Sequence, residues 1–203
     1  MRRRMTSLLL AMVVLAAPIA FSPHSAQANF GSIACSGTPT TCVSLGNNST
    51  HVVAFSNLGN DIPGMAENTQ YAVDAAYNPT DLTAYVFGGD PTPDVIAFDF
   101  NFGNNGLVGW AVCPANNTGT GGSHPYVWCR GQNINFNSFF AADFDSTLDQ
   151  RRVACHEIGH TVGLRHYNPQ HSGTGSCMYN PANGSYTVLL STHESNDHIN
   201  SWY

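Results

Sequence analysis

Short apolar runs alternating with polar residues fill the middle of the chain, and near Ser146 the pattern switches to a helical period. His51 to Leu58 (HVVAFSNL), Leu82 to Phe87 (LTAYVF), Asp94 to Phe100 (DVIAFDF), Leu107 to Cys113 (LVGWAVC) and Tyr126 to Phe136 read as five strands, the last bulged at Gly131. Met65 to Tyr77 reads as a helix, because Ala72, Val73, Ala76 and Tyr77 recur at helical spacing and Asn78-Pro79 stops it. Asn101 to Gly106 reads as a turn and Asn116 to Ser123 as a loop. Ser146 is the expected N-cap of a second long helix, with Asp149 three residues on, running to about Leu164. Residues 167–190 read as loops, and Thr192 to Trp202 as a closing helix capped by Ser191 or Thr192. The expected fold class is α+β (mixed α/β): a twisted five-stranded sheet, two long helices and a small C-terminal subdomain ending in a helix.

The start of the chain follows a different logic. Arg2, Arg3 and Arg4 precede an apolar run from Leu8 to Phe21, and Ala26-Gln27-Ala28 is a small-x-small cleavage site. This is the composition of a secretory signal peptide over residues 1–28. Its removal leaves 203 − 28 = 175 residues, enough for one domain (29–203) with a proper core. The predicted location is therefore extracellular, with no membrane association after cleavage.

Charge and cysteines agree with that compartment. The chain has seven Arg, no Lys and thirteen acids; without the three leader arginines, four Arg face thirteen acids, a net charge of −9. Such a surface repels phosphate backbones and anionic lipid, which argues against nucleic-acid binding. Cys35, Cys42, Cys113, Cys129, Cys155 and Cys177 form an even set in a chain read as secreted, and so read as disulfides. Sequence neighbours suggest Cys35–Cys42, Cys113–Cys129 and Cys155–Cys177, out of fifteen possible connectivities. Residues 29–50 read as an irregular stretch held by the first pair. The expected state is a monomer.

The chemistry lies in the second helix, in the run His156-Glu157-Ile158-Gly159-His160-Thr161-Val162-Gly163-Leu164-Arg165-His166. His156 and His160 are four apart, about 40° apart on one helical face, so both imidazoles can reach one zinc ion. Glu157 follows the first ligand and is placed to take a proton from water bound to the metal. His166 could not join them if the helix continued. Gly163 removes the obstacle, because glycine readily takes the left-handed conformation that ends a helix and reverses the chain. The motif predicts a three-histidine zinc site (His156, His160, His166) in a cleft, with an open fourth position and Glu157 as general base.

This run resembles the zinc motif of the metzincins, a clan of metalloendopeptidases. Ser176-Cys177-Met178-Tyr179-Asn180-Pro181 resembles their Met-turn, with Met178 beneath the metal. The likeness is greatest to the matrixins: DVIAFDF is similar to their third strand, and GLVGWAVCP to the edge strand that pairs with substrate. The resemblance implies a secreted zinc endopeptidase acting on protein or peptide substrates. Glu157 would assist attack by zinc-bound water, and Leu107, Val108, Gly109, Trp110 and Ala111 would hold the substrate strand. Two alternatives stay open: a catalytically silent zinc-containing binding or inhibitory module, and a zinc hydrolase of cell-wall peptides.

The chain departs from the matrixin pattern in places. Tyr167 follows the third His where Ser is usual. Ile134-Asn135-Phe136-Asn137 stands where the acidic calcium-binding cluster would be, which leaves calcium open; Asp143, Asp145 and Asp149 read first as helix-entry acids favoured by the dipole. A Cys155–Cys177 bridge would tie the active helix to the Met-turn; the rival reading makes the two thiolates additional metal ligands. His51, His124, His171, His193 and His198 read as surface or loop residues.

Overall fold

The computed structural model describes residues 45–46, 48–56, 61–88, 92–114, 118–121, 124–166, 175–179 and 187–203. The expected leader, the Cys35–Cys42 pair, Tyr167 and His171 lie outside these residues. Strands β1 (Leu45–Gly46), β2 (Thr50–Phe55), β3 (Thr83–Val86), β4 (Val95–Phe100), β5 (Gly109–Val112), β6 (Thr118–Gly121), β7 (His124–Cys129) and β8 (Gln132–Asn137) form two sheets. The larger has five strands in the order β3-β2-β4-β8-β5; the smaller has three, β1-β7-β6. In the large sheet β3, β2, β4 and β8 run parallel, and β5 lies antiparallel to β8 at one edge.

Helix α1 (Met65–Ala72) continues as a π-helical segment, Val73–Tyr77, matching the predicted span. Helix α2 (Thr147–Thr161) starts where expected: the Ser146 side chain accepts from the Asp149 backbone N–H. The two helices pack on one another, and α2 lies against β5 and β8. In β4 the period of two is plain, with Val95, Ala97 and Asp99 buried and Ile96 and Phe100 exposed. Val95 and Ala97 join Ile134 and Phe136 of β8, Ala111 of β5 and Ala154 and Ile158 of α2 in one core. No described helix is long and apolar enough to cross a membrane.

Three expectations about strands need correction. Tyr126 to Phe136 is not one bulged strand: it breaks at Arg130-Gly131, β7 joins the small sheet, and only β8 enters the large one. Cys129, at the end of β7, is bonded to Cys113 just beyond β5, so the chain must turn before β8 can run between β4 and β5. The Asn/Thr/Gly-rich loop contains strand β6, antiparallel to β7; its composition reads as a loop because hairpin pairing, not side-chain propensity, makes it a strand. Leu107 and Val108 precede β5, which begins at Gly109, although the Val108 carbonyl already accepts from Asn137 N–H at 2.8 Å. A 3₁₀ segment, Ser138–Phe144, links β8 to α2 and was not foreseen.

The closing helical segment comprises Glu194–Ile199 and Asn200–Trp202. Ser191 is its cap. Glu194 N–H donates to Ser191 Oγ at 3.2 Å, while Ser191 N–H donates to Glu194 Oε2 at 2.7 Å, a reciprocal capping box.

Candidate metal centre

The C-terminal end of α2 decides where the third histidine goes. Gly163 has φ 94°. Leu164 N–H donates to Gly159 O at 2.9 Å, the six-to-one bond of a Schellman ending. This reversal returns the chain toward the helix, and the His166 ring lies 5.0 Å from both the His156 and the His160 rings, centroid to centroid. One ligand atom from each of the three lies within 4.8 Å of the others, so the triad can hold a metal ion. His156 and His160 are buried, and His166 is exposed.

The hydrogen bonds fix how these rings point. His156 Nδ1 lies 2.8 Å from Cys177 O, and His160 Nδ1 lies 2.8 Å from Leu164 O. A carbonyl oxygen only accepts, so both Nδ1 atoms carry the proton and donate. Burial pushes both imidazoles toward the neutral form: His156 is lowered to about 4, with the charge of His166 adding to the effect, and His160 falls well below its ordinary value. Each neutral ring therefore presents a bare Nε2 lone pair. These two Nε2 atoms face each other at 3.1 Å. Two acceptors at that distance repel unless a cation lies between them. Two nitrogens bound to one zinc at tetrahedral geometry sit about 3.3 Å apart, so the pair fits that ion. The carbonyls of Cys177 and Leu164 are the outer partners that such ligands require.

Glu157 is buried at 4 % exposure, and its Oε2 has no hydrogen-bond partner among the described residues. Burial pushes its carboxyl up to about 8, and a neighbouring cation favours the ionised form. The carboxylate lies against the start of β5: a Cβ on Gly109 would come 2.7 Å from Glu157 Oε1. The edge strand thus touches the catalytic candidate through a residue without a side chain. Val108 bonds to Asn137, and antiparallel alternation turns the main-chain groups of Gly109 and Ala111 away from β8, toward the open edge. Trp110 points to the opposite face of the sheet from Glu157. There it meets Phe102 edge to face, ring centroids 4.9 Å apart.

Met178 is fully buried beneath the same helix. A Cβ on Gly159 would overlap Met178 Sδ and lie 3.0 Å from Tyr77 Oη, so the glycine between the two helical histidines is the seat of the methionine. Tyr77 Oη donates to the Cys155 carbonyl. The turn carrying Met178 is held by Met178 N–H to Ser176 Oγ at 3.0 Å, and Ser176 Oγ–H donates to Glu194 Oε2 at 2.5 Å. Cys155 and Cys177 form a disulfide, which rules out the reading of two thiolate ligands. Cys113 and Cys129 form the second described bridge.

Sequence reasoning missed the seat at Gly159, the Gly109–Glu157 contact and the role of Tyr77. Each is a contact across long sequence separation. The Ser191-x-x-Glu194 capping box was visible as a pattern. His51 is a correction: it is buried at 0 %, not on the surface. Its Nε2 lies 2.9 Å from Thr161 Oγ1, which itself donates to Ile158 O, so His51 is the donor and braces the end of α2. His198 is buried too, at 4 %. Of the helix-entry acids, Asp149 takes the Ser146 hydroxyl at 2.5 Å and faces Arg152 at 3.7 Å.

No family model matches the chain, and no curated protein does. Among solved structures it is similar to that of myroilysin, at 14 % identity and a TM-score of 0.37, over 77 % of this chain and 69 % of that one. At that overlap the likeness carries no argument about the chemistry, which rests on the site itself.

Proposed function

We propose that the protein is a secreted zinc-dependent endopeptidase of the metzincin type. The observation that carries this reading is the pair of buried Nε2 lone pairs facing each other at 3.1 Å, with His166 beside them and, on the adjoining residue, Glu157, whose Oε2 has no hydrogen-bond partner among the described residues. His156, His160 and His166 would hold the metal. A bound zinc ion supplies Lewis acidity toward a carbonyl oxygen and toward water. Glu157 accepts a proton from the attacking water and passes it to the leaving amine. An extended peptide docks on the open edge of β5, where the main-chain groups of Gly109 and Ala111 offer a strand's hydrogen bonds. Two disulfides fit an oxidising, extracellular setting.

The test is Glu157→Gln assayed on a peptide library with and without chelator. Peptide cleavage is expected to fall by about 10²–10⁴-fold while metal content stays at the wild-type level. Near-normal cleavage by the variant contradicts the role of Glu157. A wild-type protein that holds zinc but cuts no peptide points to a binding module, and cleavage of cell-wall peptides alone points to the narrower hydrolase.

A further inference from the structure

Cys155 stands directly before the ligand His156, and Cys177 stands directly before Met178. The two are joined by a disulfide across 22 residues. The Cys177 carbonyl is also the group that accepts from His156 Nδ1, at 2.8 Å. A short closed circuit results: from the Cys155 sulfur to the Cys177 sulfur, along Cys177 to its carbonyl, across the hydrogen bond to the His156 ring, and back through one peptide unit to Cys155. We propose that the Cys155–Cys177 disulfide is a positioning element of the metal centre, holding the carbonyl that sets the tautomer and orientation of His156. This inference rests on the metal reading above.

Without the bridge, the turn keeps its own bonds, Cys177 N–H to Leu189 O at 2.9 Å, Tyr179 N–H to Ser176 O at 3.2 Å and Met178 N–H to Ser176 Oγ at 3.0 Å. What then ties it to α2 is the seating of Met178 on Gly159 and the His156–Cys177 hydrogen bond itself, neither of them covalent. Once the carbonyl moves, the Nδ1–H tautomer of His156 loses its acceptor, and the competing tautomer with a proton on Nε2 lacks the lone pair the metal needs. Both sulfurs are buried, Cys155 at 0 % and Cys177 at 2 %, so the bridge is set during folding and is shielded from reductant at the surface. The site completes its geometry only after the two thiols have given two electrons and two protons to a disulfide-exchange oxidant. A chain still in a reducing compartment therefore retains metal poorly.

The second bridge supplies the control. Cys113–Cys129 spans 16 residues and sits in a separate small cluster with Val112. Loops of 16 and 22 residues constrain the unfolded chain to nearly the same extent, so the two bridges differ in placement more than in chain entropy. The experiment measures zinc affinity by chelator competition for the full mature chain, for Cys155→Ala/Cys177→Ala and for Cys113→Ala/Cys129→Ala. Circular dichroism checks the fold of each. The first pair is expected to bind zinc about 10–100-fold more weakly, and the second to keep wild-type affinity. If the first pair does not fold, Cys155→Val/Cys177→Ala refills the volume, and the absorption of its cobalt-substituted form reports ligand geometry directly. Wild-type affinity or an unchanged cobalt spectrum without the Cys155–Cys177 bridge overturns the inference. An equal loss of affinity in both pairs also overturns it, because the effect would then be general. A wild-type chain that holds no zinc overturns the metal reading itself.

Discussion

Helices α1 and α2 lie side by side and both bury polar side chains, but they satisfy them differently. In α1 and its continuation every such group has a partner within the protein. Asn68 Nδ2 donates to Gln150 Oε1 at 2.7 Å, Thr69 Oγ1 donates to Met65 O at 2.7 Å, and Tyr77 Oη donates to Cys155 O. In α2 the outer atoms of His156 and His160 are equally well placed, while their inner atoms face each other as two acceptors, and Glu157 Oε2 faces no donor among the described residues. An interior normally leaves few such groups, because each costs about 1–3 kcal/mol. The contrast teaches that α1 is built for the fold alone. The same layer in α2 can be completed by a cation, because three imidazoles beside a carboxylate are able to hold one, as proposed above.

The comparison breaks most visibly at a ligand. His160→Ala is expected to weaken zinc binding by more than about 100-fold, beyond what loss of an outer partner does. Measured metal-free, the same variant gives up the His160 Nδ1–Leu164 O bond and some packing but also one of two facing lone pairs, so its stability should change far less than its zinc affinity. Thermal melts with and without zinc check both halves: zinc should raise the wild-type midpoint and leave that of the variant unmoved. A variant whose midpoint still rises with zinc as the wild type's does would show that His160 is not a ligand.

Next in size is the hinge. Gly163→Val places a β-branched residue at φ 94°. Such strain costs about 1–3 kcal/mol, and relieving it moves His166 away from the other two rings. Zinc retained after dialysis should fall; unchanged zinc content would count against the role given to Gly163. The α1 side should answer in stability only. Asn68→Ala leaves buried Gln150 Oε1 without its donor, at about 1–3 kcal/mol in a denaturant titration, with zinc affinity unaffected. Smallest is Ser146→Ala, which removes the cap at the far end of α2 for about 1 kcal/mol and should leave the site untouched.

How much of this could be read in the sequence follows the range of the contacts involved. The span of α1, the Ser146 cap, strands β2, β3 and β4 and the return of His166 through Gly163 are set by residues within a few positions of one another, where periodicity and backbone preference speak directly. The split of Tyr126–Phe136 into β7 and β8 was hidden, because an unbroken β-favouring run gives only Gly131 as a signal, and the sheet each half joins depends on distant partners. Gly159 read as an ordinary helix position, yet it faces Met178 and Tyr77 from two other parts of the chain. Gly109 likewise read as one residue of an edge strand, and only the fold brings Glu157 against it. The motif announced which residues meet, and the packing explained why the small ones among them must be small.

The most direct test is elemental analysis of the purified mature chain, followed by dialysis against chelator and zinc add-back while the melting temperature is read. One zinc ion per chain, lost to chelator with a fall in midpoint and restored on add-back, is the predicted result. A folded chain that carries no zinc and whose midpoint ignores added zinc would contradict the assignment of His156, His160 and His166 as a metal centre.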